Sequence, residues 1–404
     1  MALSSVQHAK IGLALAGGGV GGAMYEAGAL RAIDEAFLGI DFCRLGGYVG
    51  ISAGSLVAAC LVNGISCRQL CRALLEPAAE PISIDASLFF KPALNRMLER
   101  SKEIPKRLMD LLSMDETMGN KWIRSLGILL RALPEGIFQN EPLERFLNEQ
   151  FSKPGFTNSF SETGNRLFIV ASDLDSAQAV VFGSQGWQDV PISKAVQAST
   201  ALPGVYPPVE IRGRSYVDGV LLRTMNASVL LDRGIELLLA INPIVPVDTH
   251  RSVATGYMRR GRLVDRGLLG VLHQSVRTLI YSRMKVGHSS YRNRFKNAEI
   301  LLFEPSNDDY VMYFTNILSF SVRDTLLDHA YRKTMEQIRS RRDELERCLA
   351  PYGIRSRPEV IEDQDRGIRQ SVGLAQKSST PVVRDLREAL AHLEHLLDHG
   401  SKGT

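Results

Sequence analysis

The chain predicts an α/β fold, and three observations carry that expectation. Ile11-Gly12-Leu13-Ala14-Leu15-Ala16 is a short apolar strand that runs into the glycine-rich Gly17-Gly18-Gly19-Val20-Gly21-Gly22. A helical pattern follows through Met24, Ala27, Leu30, Ala32 and Ile33, and a second strand, Gly46-Gly47-Tyr48-Val49, leads directly into Gly50-Ile51-Ser52-Ala53-Gly54. Further short apolar strands recur downstream, at Leu167–Ser172, at Ala179–Phe182 and at Leu237–Ile241. Strand, loop, helix and strand in that order make a β-α-β unit.

At 404 residues the chain can bury a large core, as one large domain or two. Its 45% hydrophobic and 23% charged residues are those of an ordinary globular protein. A net charge of +4 is too small at this length to mark a nucleic-acid binder. No apolar run reaches the length of a membrane span, and Met1 to Lys10 lack the charged-then-apolar order of a secretory signal. Cys43, Cys60, Cys67, Cys71 and Cys348 are odd in number, and no paired Cys or His cluster completes a zinc site. They read as reduced thiols of a cytoplasmic protein, with no metal expected.

The serine turn organises the rest. Gly50 and Gly54, two residues either side of Ser52, let a strand turn sharply into the apolar helix Leu56–Val62 and present the hydroxyl to a cleft. Ser52 is therefore a candidate nucleophile, although a small-residue turn without chemistry has the same pattern. Three readings compete for the glycine loop. Gly17, Gly19 and Gly22 satisfy the G-x-G-x-x-G spacing of a dinucleotide site, with Asp41 about 20 residues on where a ribose ligand is expected. A P-loop is disfavoured, because no Gly-Lys-Ser/Thr follows. The third reading is an oxyanion hole, in which N–H groups converge at a helix N-terminus. It alone gives the serine turn a task, and its candidate donors are Gly17, Gly18, Gly19 and Ala53.

Residues 77–138 have the look of an insertion. Leu94, Met97, Leu98, Ile104, Leu108, Leu111 and Leu112 fall at helical spacing opposite Arg96, Arg100, Lys102, Lys106 and Arg107, and Trp122–Arg131 is a second such piece. Either they form a cap with a solvated basic face, or a lid whose apolar stripe meets lipid. Pro191–Thr200 reads as a helix entering Ala201-Leu202-Pro203-Gly204, and Tyr216-Val217-Asp218-Gly219 as a strand ending in an acid and a glycine. From Arg259 to Lys296 ten Lys and Arg face one acid, Asp265, beside a stripe of Leu268, Leu269, Leu272, Val276, Leu279, Ile280 and Met284. A solvated helix is the plain reading; attraction to anionic headgroups is the functional one. Ser356–Ser379 is poor in apolar residues and reads as a mobile linker before a last helix opened by Thr380-Pro381.

Taken together, Gly17–Gly22, Gly50–Gly54 and Tyr216-Val217-Asp218-Gly219-Val220 resemble the patatin-like phospholipases, as does Ala198–Pro208 before the aspartate. The resemblance runs from about Ile11 to Pro243. It implies a three-layer α/β/α sandwich with a mostly parallel central sheet, a helical cap insertion and a helical C-terminal extension. It also implies a Ser52–Asp218 dyad without histidine that hydrolyses phospholipid acyl esters, without metal or cofactor. Two positions depart from the family's pattern: Gly21 stands where Arg or Lys is frequent, and Val220 where a smaller residue is usual.

The chemistry can be argued beside the resemblance. Acyl transfer needs a nucleophile, a proton acceptor and oxyanion donors; Ser52, Asp218 and the glycine loop can supply them. An aspartate is a weaker base than histidine by about 2.6 pKa units, roughly 3.5 kcal/mol, and burial can recover part of that. The plain reading of Asp218-Gly219 is a turn. Two rivals remain: a serine–histidine–acid hydrolase drawing on His250, His273, His288 or His329, and a lipid-binding protein of the same fold with negligible turnover. The organisation expected is a catalytic domain over 8–245, a basic helical extension over 246–355 packed on it, and a linker with a terminal helix over 356–404. The expected partners are an acyl-ester lipid and, peripherally, an anionic membrane surface, but no nucleic acid; a homo-oligomer is left open.

Overall fold

The computed structural model describes residues 8–76, 79–93, 135–254, 263–314 and 322–375. The amphipathic segments expected between Leu94 and Arg131, the helix opened by Thr380, and residues 259–262 of the basic stretch lie outside the described residues.

The α/β expectation holds, with a mostly parallel central sheet. Its strands are β1 (Ile11–Leu15), β3 (Gly47–Ile51), β4 (Leu167–Asp173), β5 (Gln178–Phe182), β6 (Val209–Ile211), β7 (Arg214–Asp218), β8 (Leu237–Ile241) and β9 (Glu299–Phe303). They run in the order β6-β7-β4-β3-β1-β8-β9, with β5 also paired to β4. The five strands from β4 to β9 are mutually parallel, while β5 and β7 pair antiparallel with β4, and β6 pairs antiparallel with β7. A separate two-stranded pair joins β2 (Phe37–Leu38) to β10 (Arg355–Ser356).

Both faces of this sheet are covered, so its central strands have no solvent side and read as unbroken apolar runs. Alternate residues serve opposite layers. Ile11, Leu13, Leu15, Leu167, Ile169, Leu237, Leu239 and Ile241 pack into one core, with α1 (Gly19–Ala36), α2 (Ala53–Val62), α3 (Cys67–Leu75), α4 (Glu141–Phe151), α5 (Ile192–Ser199) and α7 (Arg323–Ser340). Ala14, Val49, Ile51, Phe168, Val170, Leu238 and Ala240 point into a second core, closed by Ile280 and Met284 of α6 (Gly267–Arg294).

Residues beyond 245 complete the sandwich. β9 extends the sheet beside β8, and α7 lies against α1 so closely that a Cβ at Gly28 would stand 2.7 Å from the carbonyl oxygen of Leu327. The stretch read as a mobile linker is instead packed as far as Ala375, where the description ends. Val360, Ile361, Ile368 and Val372 are buried, and Arg366 and Arg369 pair with Glu35 and Asp324. Few apolar residues suffice there because ion pairs anchor the segment to α1 and α7.

The described feet of the 77–138 insertion close on each other. The N–H of Ala93 donates to Ile137 at 3.0 Å and that of Gln139 to Lys91 at 2.8 Å. This junction lies at the carboxyl end of the sheet, where open α/β sheets place their ligands.

Candidate active site

Ser52 follows the last residue of β3 and stands immediately before α2. Its backbone has φ 53° and ψ −124°, a conformation that side-chain-bearing residues rarely adopt. The sharp turn needs backbones closer than a side chain allows: a Cβ at Gly54 would stand 2.6 Å from both the carbonyl oxygen of Ala16 and the Leu15 side chain. Three hydrogen bonds hold the turn. The Ser52 N–H donates to Ser199 Oγ at 2.8 Å, while its carbonyl accepts from Ser55 Oγ at 2.6 Å and from the Ser55 N–H at 2.9 Å.

Strand β4 brings Asp218 to this serine. Along one edge its first residues pair with β3, ending at Ile51 opposite Val170. From the next residue the same edge pairs with β7, beginning at Asp218 opposite Ala171; the other edge is occupied by β5. The ends of β3 and β7 therefore meet head to head on consecutive residues of β4. Ser199, at the end of α5, locks the junction by donating from Oγ to the Val170 carbonyl at 2.6 Å.

The Ser52 hydroxyl stands beside the Asp218 carboxyl, which accepts from the Val220 N–H at 2.9 Å. Asp218 is 1% exposed and Ser52 5%. Burial pushes the Asp218 carboxyl up to about 7, against the opposing pull of the nearby Ser52 hydroxyl and the Val220 N–H. A carboxylate of that basicity can take a serine proton near neutrality, where an ordinary aspartate is too weak a base.

The glycine loop faces the same point. Gly18 precedes α1 with φ 154°, and a Cβ there would stand 2.8 Å from the Gly22 Cα, so only glycine fits. The first N–H groups of a helix have no acceptor within it. Gly19 and Ala53 are the first residues of α1 and α2, and with Gly18 they line one cavity beside Ser52 and Asp218. Gly17 backs the serine: a Cβ there would stand 3.1 Å from the Ser52 Cβ. This arrangement can hold an ester carbonyl between a hydroxyl with a base and a set of backbone donors.

The cavity has a volume of about 140 Å³ and a largely apolar wall, to which Leu56, Leu88, Phe89, Leu143, Val276 and Ile280 contribute. Such a wall suits a hydrocarbon chain.

Residues 13–231, more than half of the chain, match the model of the patatin-like phospholipases. The chain belongs to the patatin-like phospholipase family. This is a family of lipid acyl hydrolases, and the matched segment takes in the glycine loop, the serine turn and Asp218. Among solved structures the chain is similar to VipD from Legionella pneumophila, at 15% identity over 98% of this chain and 77% of that one, with a TM-score of 0.34.

Of the histidines weighed as a base, His273 alone lines the cavity among the described residues, and its Nε2 accepts from Arg277 Nε at 3.1 Å. Burial and the adjacent guanidinium push its imidazole down to about 4. His329 is paired with Asp309 at 2.7 Å and lines a different cavity, and His250 is exposed. Two residues of the site escaped sequence reasoning. Ser199 was within reach, since it ends a recognised helix before Ala201–Gly204. Arg277 carries no local signal, because nothing in a basic helix says which of its residues turns inward.

Proposed function

We propose that the protein hydrolyses acyl esters of phospholipids and related lipids, with Ser52 as nucleophile and Asp218 as its base. The observation that carries this reading is that the two buried side chains, set at the ends of β3 and β7, line one apolar cavity together. Asp218 accepts the Ser52 proton as Oγ attacks the ester carbonyl carbon. The carbonyl oxygen, now negative, is met by the N–H groups of Gly18, Gly19 and Ala53. Collapse expels the alcohol, which takes the proton back from Asp218 and leaves an acyl group on Ser52. Water, deprotonated by the same carboxylate, releases the fatty acid and restores the serine.

A lipid surface is the natural place for such a substrate. α6 carries Ile280 and Met284 inward, while Leu268, Leu272, Leu279 and Val286 are exposed on its outer side, near the basic Arg283, Lys285 and Arg292. An apolar face flanked by cations favours the anionic interface of a membrane. Among the described residues no helix is long and apolar enough to cross one.

The decisive test is labelling with a fluorophosphonate, which reacts only with an activated serine. The wild-type chain should label at Ser52, and Ser52→Ala should neither label nor hydrolyse a medium-chain ester. An unlabelled wild type would leave a lipid-binding protein without turnover, and labelling at another serine would displace Ser52 as nucleophile.

A further inference from the structure

The cavity wall holds a cation that the hydrolytic steps do not use. Arg277 is 7% exposed, on the inward side of α6, and lines the cavity together with Ser52 and Asp218. Burying a guanidinium is costly unless an anion stands against it. Here its partners are neutral: Nε donates to His273 Nε2 at 3.1 Å, one terminal nitrogen to the Val245 carbonyl at 3.0 Å, the other to that of Met312 at 3.5 Å. The Tyr313 ring centroid lies 5.2 Å away.

Among the described residues Asp218 is the one carboxylate on this wall, and it answers to Ser52 and Val220 rather than to Arg277. Burial lowers the guanidinium only to about 10, so it remains charged at neutral pH. With three single acceptors for five N–H donors, it also has hydrogen-bonding capacity to spare. A permanent charge without a counter-ion among the described residues, on an apolar wall, is half of a binding site. The missing half is an anion that arrives with the ligand.

We propose that Arg277 binds an oxyanion of the lipid substrate, so that this cavity selects anionic amphiphiles over neutral acyl esters of the same chain length. The inference rests on the reading of Ser52 and Asp218 as the hydrolytic pair only in taking the ligand to be the substrate. It adds to the family assignment, because Arg277 lies outside the matched residues 13–231. The oxyanion can be a headgroup phosphate or a carboxylate, such as that of the fatty acid released. Both present coplanar or clustered oxygens to a guanidinium fork.

Binding to the full-length Ser52→Ala chain tests this without turnover. Decyl phosphate, decanoate and decanol are titrated by calorimetry into Ser52→Ala and into the same chain carrying Arg277→Gln or Arg277→Lys. One or both anions should bind at least about tenfold more tightly than decanol, an ordinary scale for a charge-assisted contact. Arg277→Gln should abolish that ratio and Arg277→Lys restore part of it. A preference for decyl phosphate alone assigns the site to a headgroup, whereas equal binding of decanoate assigns it to any oxyanion, product included. Equal affinity for anions and decanol in the Ser52→Ala chain overturns the proposal, even if the arginine variants fail to fold. An anion preference that survives Arg277→Gln overturns it as well. If fluorophosphonate labelling of the wild type fails while the anion preference stands, the hydrolytic reading falls and the anion site does not.

Discussion

Ser52 and Asp218 each hold an unfavourable state. A non-glycine residue at φ 53° costs on the order of 1–3 kcal/mol, and a buried carboxyl held at about 7 resists ionisation. Its protonation sets the pH dependence of both activity and stability. Asp218 must be ionised to act as base, so kcat/KM should rise as pH increases through about 7 and then level off. A rate independent of pH between about 5 and 9 would remove Asp218 from that role. The folded value lies above the ordinary 3.8, so below that value both folded and unfolded chains are protonated and the group adds no penalty. As pH rises further, the unfolded chain ionises while the folded one resists, and stability falls until about pH 7. Asp218→Asn should therefore melt at a higher temperature than wild type at about pH 8, lose that advantage near pH 4, and turn over about a thousandfold more slowly or worse. Paired thermal melts and ester assays at the two pH values check all three.

Among the elements, β4 is the template and Ser199 the pin. β3 and β7 share one edge of β4 at Val170 and Ala171, and Ser199 Oγ bonds to both the Val170 carbonyl and the Ser52 N–H. Removing it leaves two buried backbone groups unpaired, each worth roughly 1–3 kcal/mol. Ser199→Ala should destabilise the fold by about that amount. It should also lower kcat by about tenfold or more, because the serine turn loses the contact that aims it. Urea melts and single-turnover rates separate the two effects; an unchanged kcat would show that Ser199 is structural only. Sheet and loops bring Asp218 and the glycine loop to the same cavity from opposite sides, since the loop follows β1 while Asp218 ends β7.

At the scale of the whole molecule, α6 faces two ways. Ile280, Met284 and Arg277 are buried, while Leu268, Leu279 and Val286 are 72%, 66% and 70% exposed. Because Ile280 and Arg277 line the cavity, a surface that engages the outer side of this helix lies next to the site. The full chain should co-sediment with anionic vesicles and release them as salt rises, each nearby Lys or Arg adding about 1 kcal/mol at low ionic strength. Leu279→Asp combined with Arg283→Glu should weaken that binding while leaving fluorophosphonate labelling in solution intact. Equal binding to neutral and anionic vesicles, or none to either, would make this helix face ordinary surface.

Local chemistry was legible along the chain because it depends on neighbouring residues. The glycine loop, the serine turn and the strands at 11–15, 167–173 and 237–241 are each written in a few consecutive positions. The acid–glycine strand end at Asp218 was legible in the same way. Their grouping as one site came from a resemblance, since no spacing rule joins Ser52 to Asp218. Strand β9 was overlooked although Ile300-Leu301-Leu302-Phe303 is a plain apolar run, because the charge around it suggested helix. Burial of Val360 and Ile368 in a polar segment was hidden for the opposite reason, as their anchors are ion pairs to distant helices. Two properties arise only from packing. The basicity of Asp218 comes from loss of water around its carboxyl, and the burial of the Arg277 charge, with no anionic partner among the described residues, comes from which side of α6 meets the sheet. Desolvation and facing are set by contacts between residues far apart in the chain, so no local pattern can encode them.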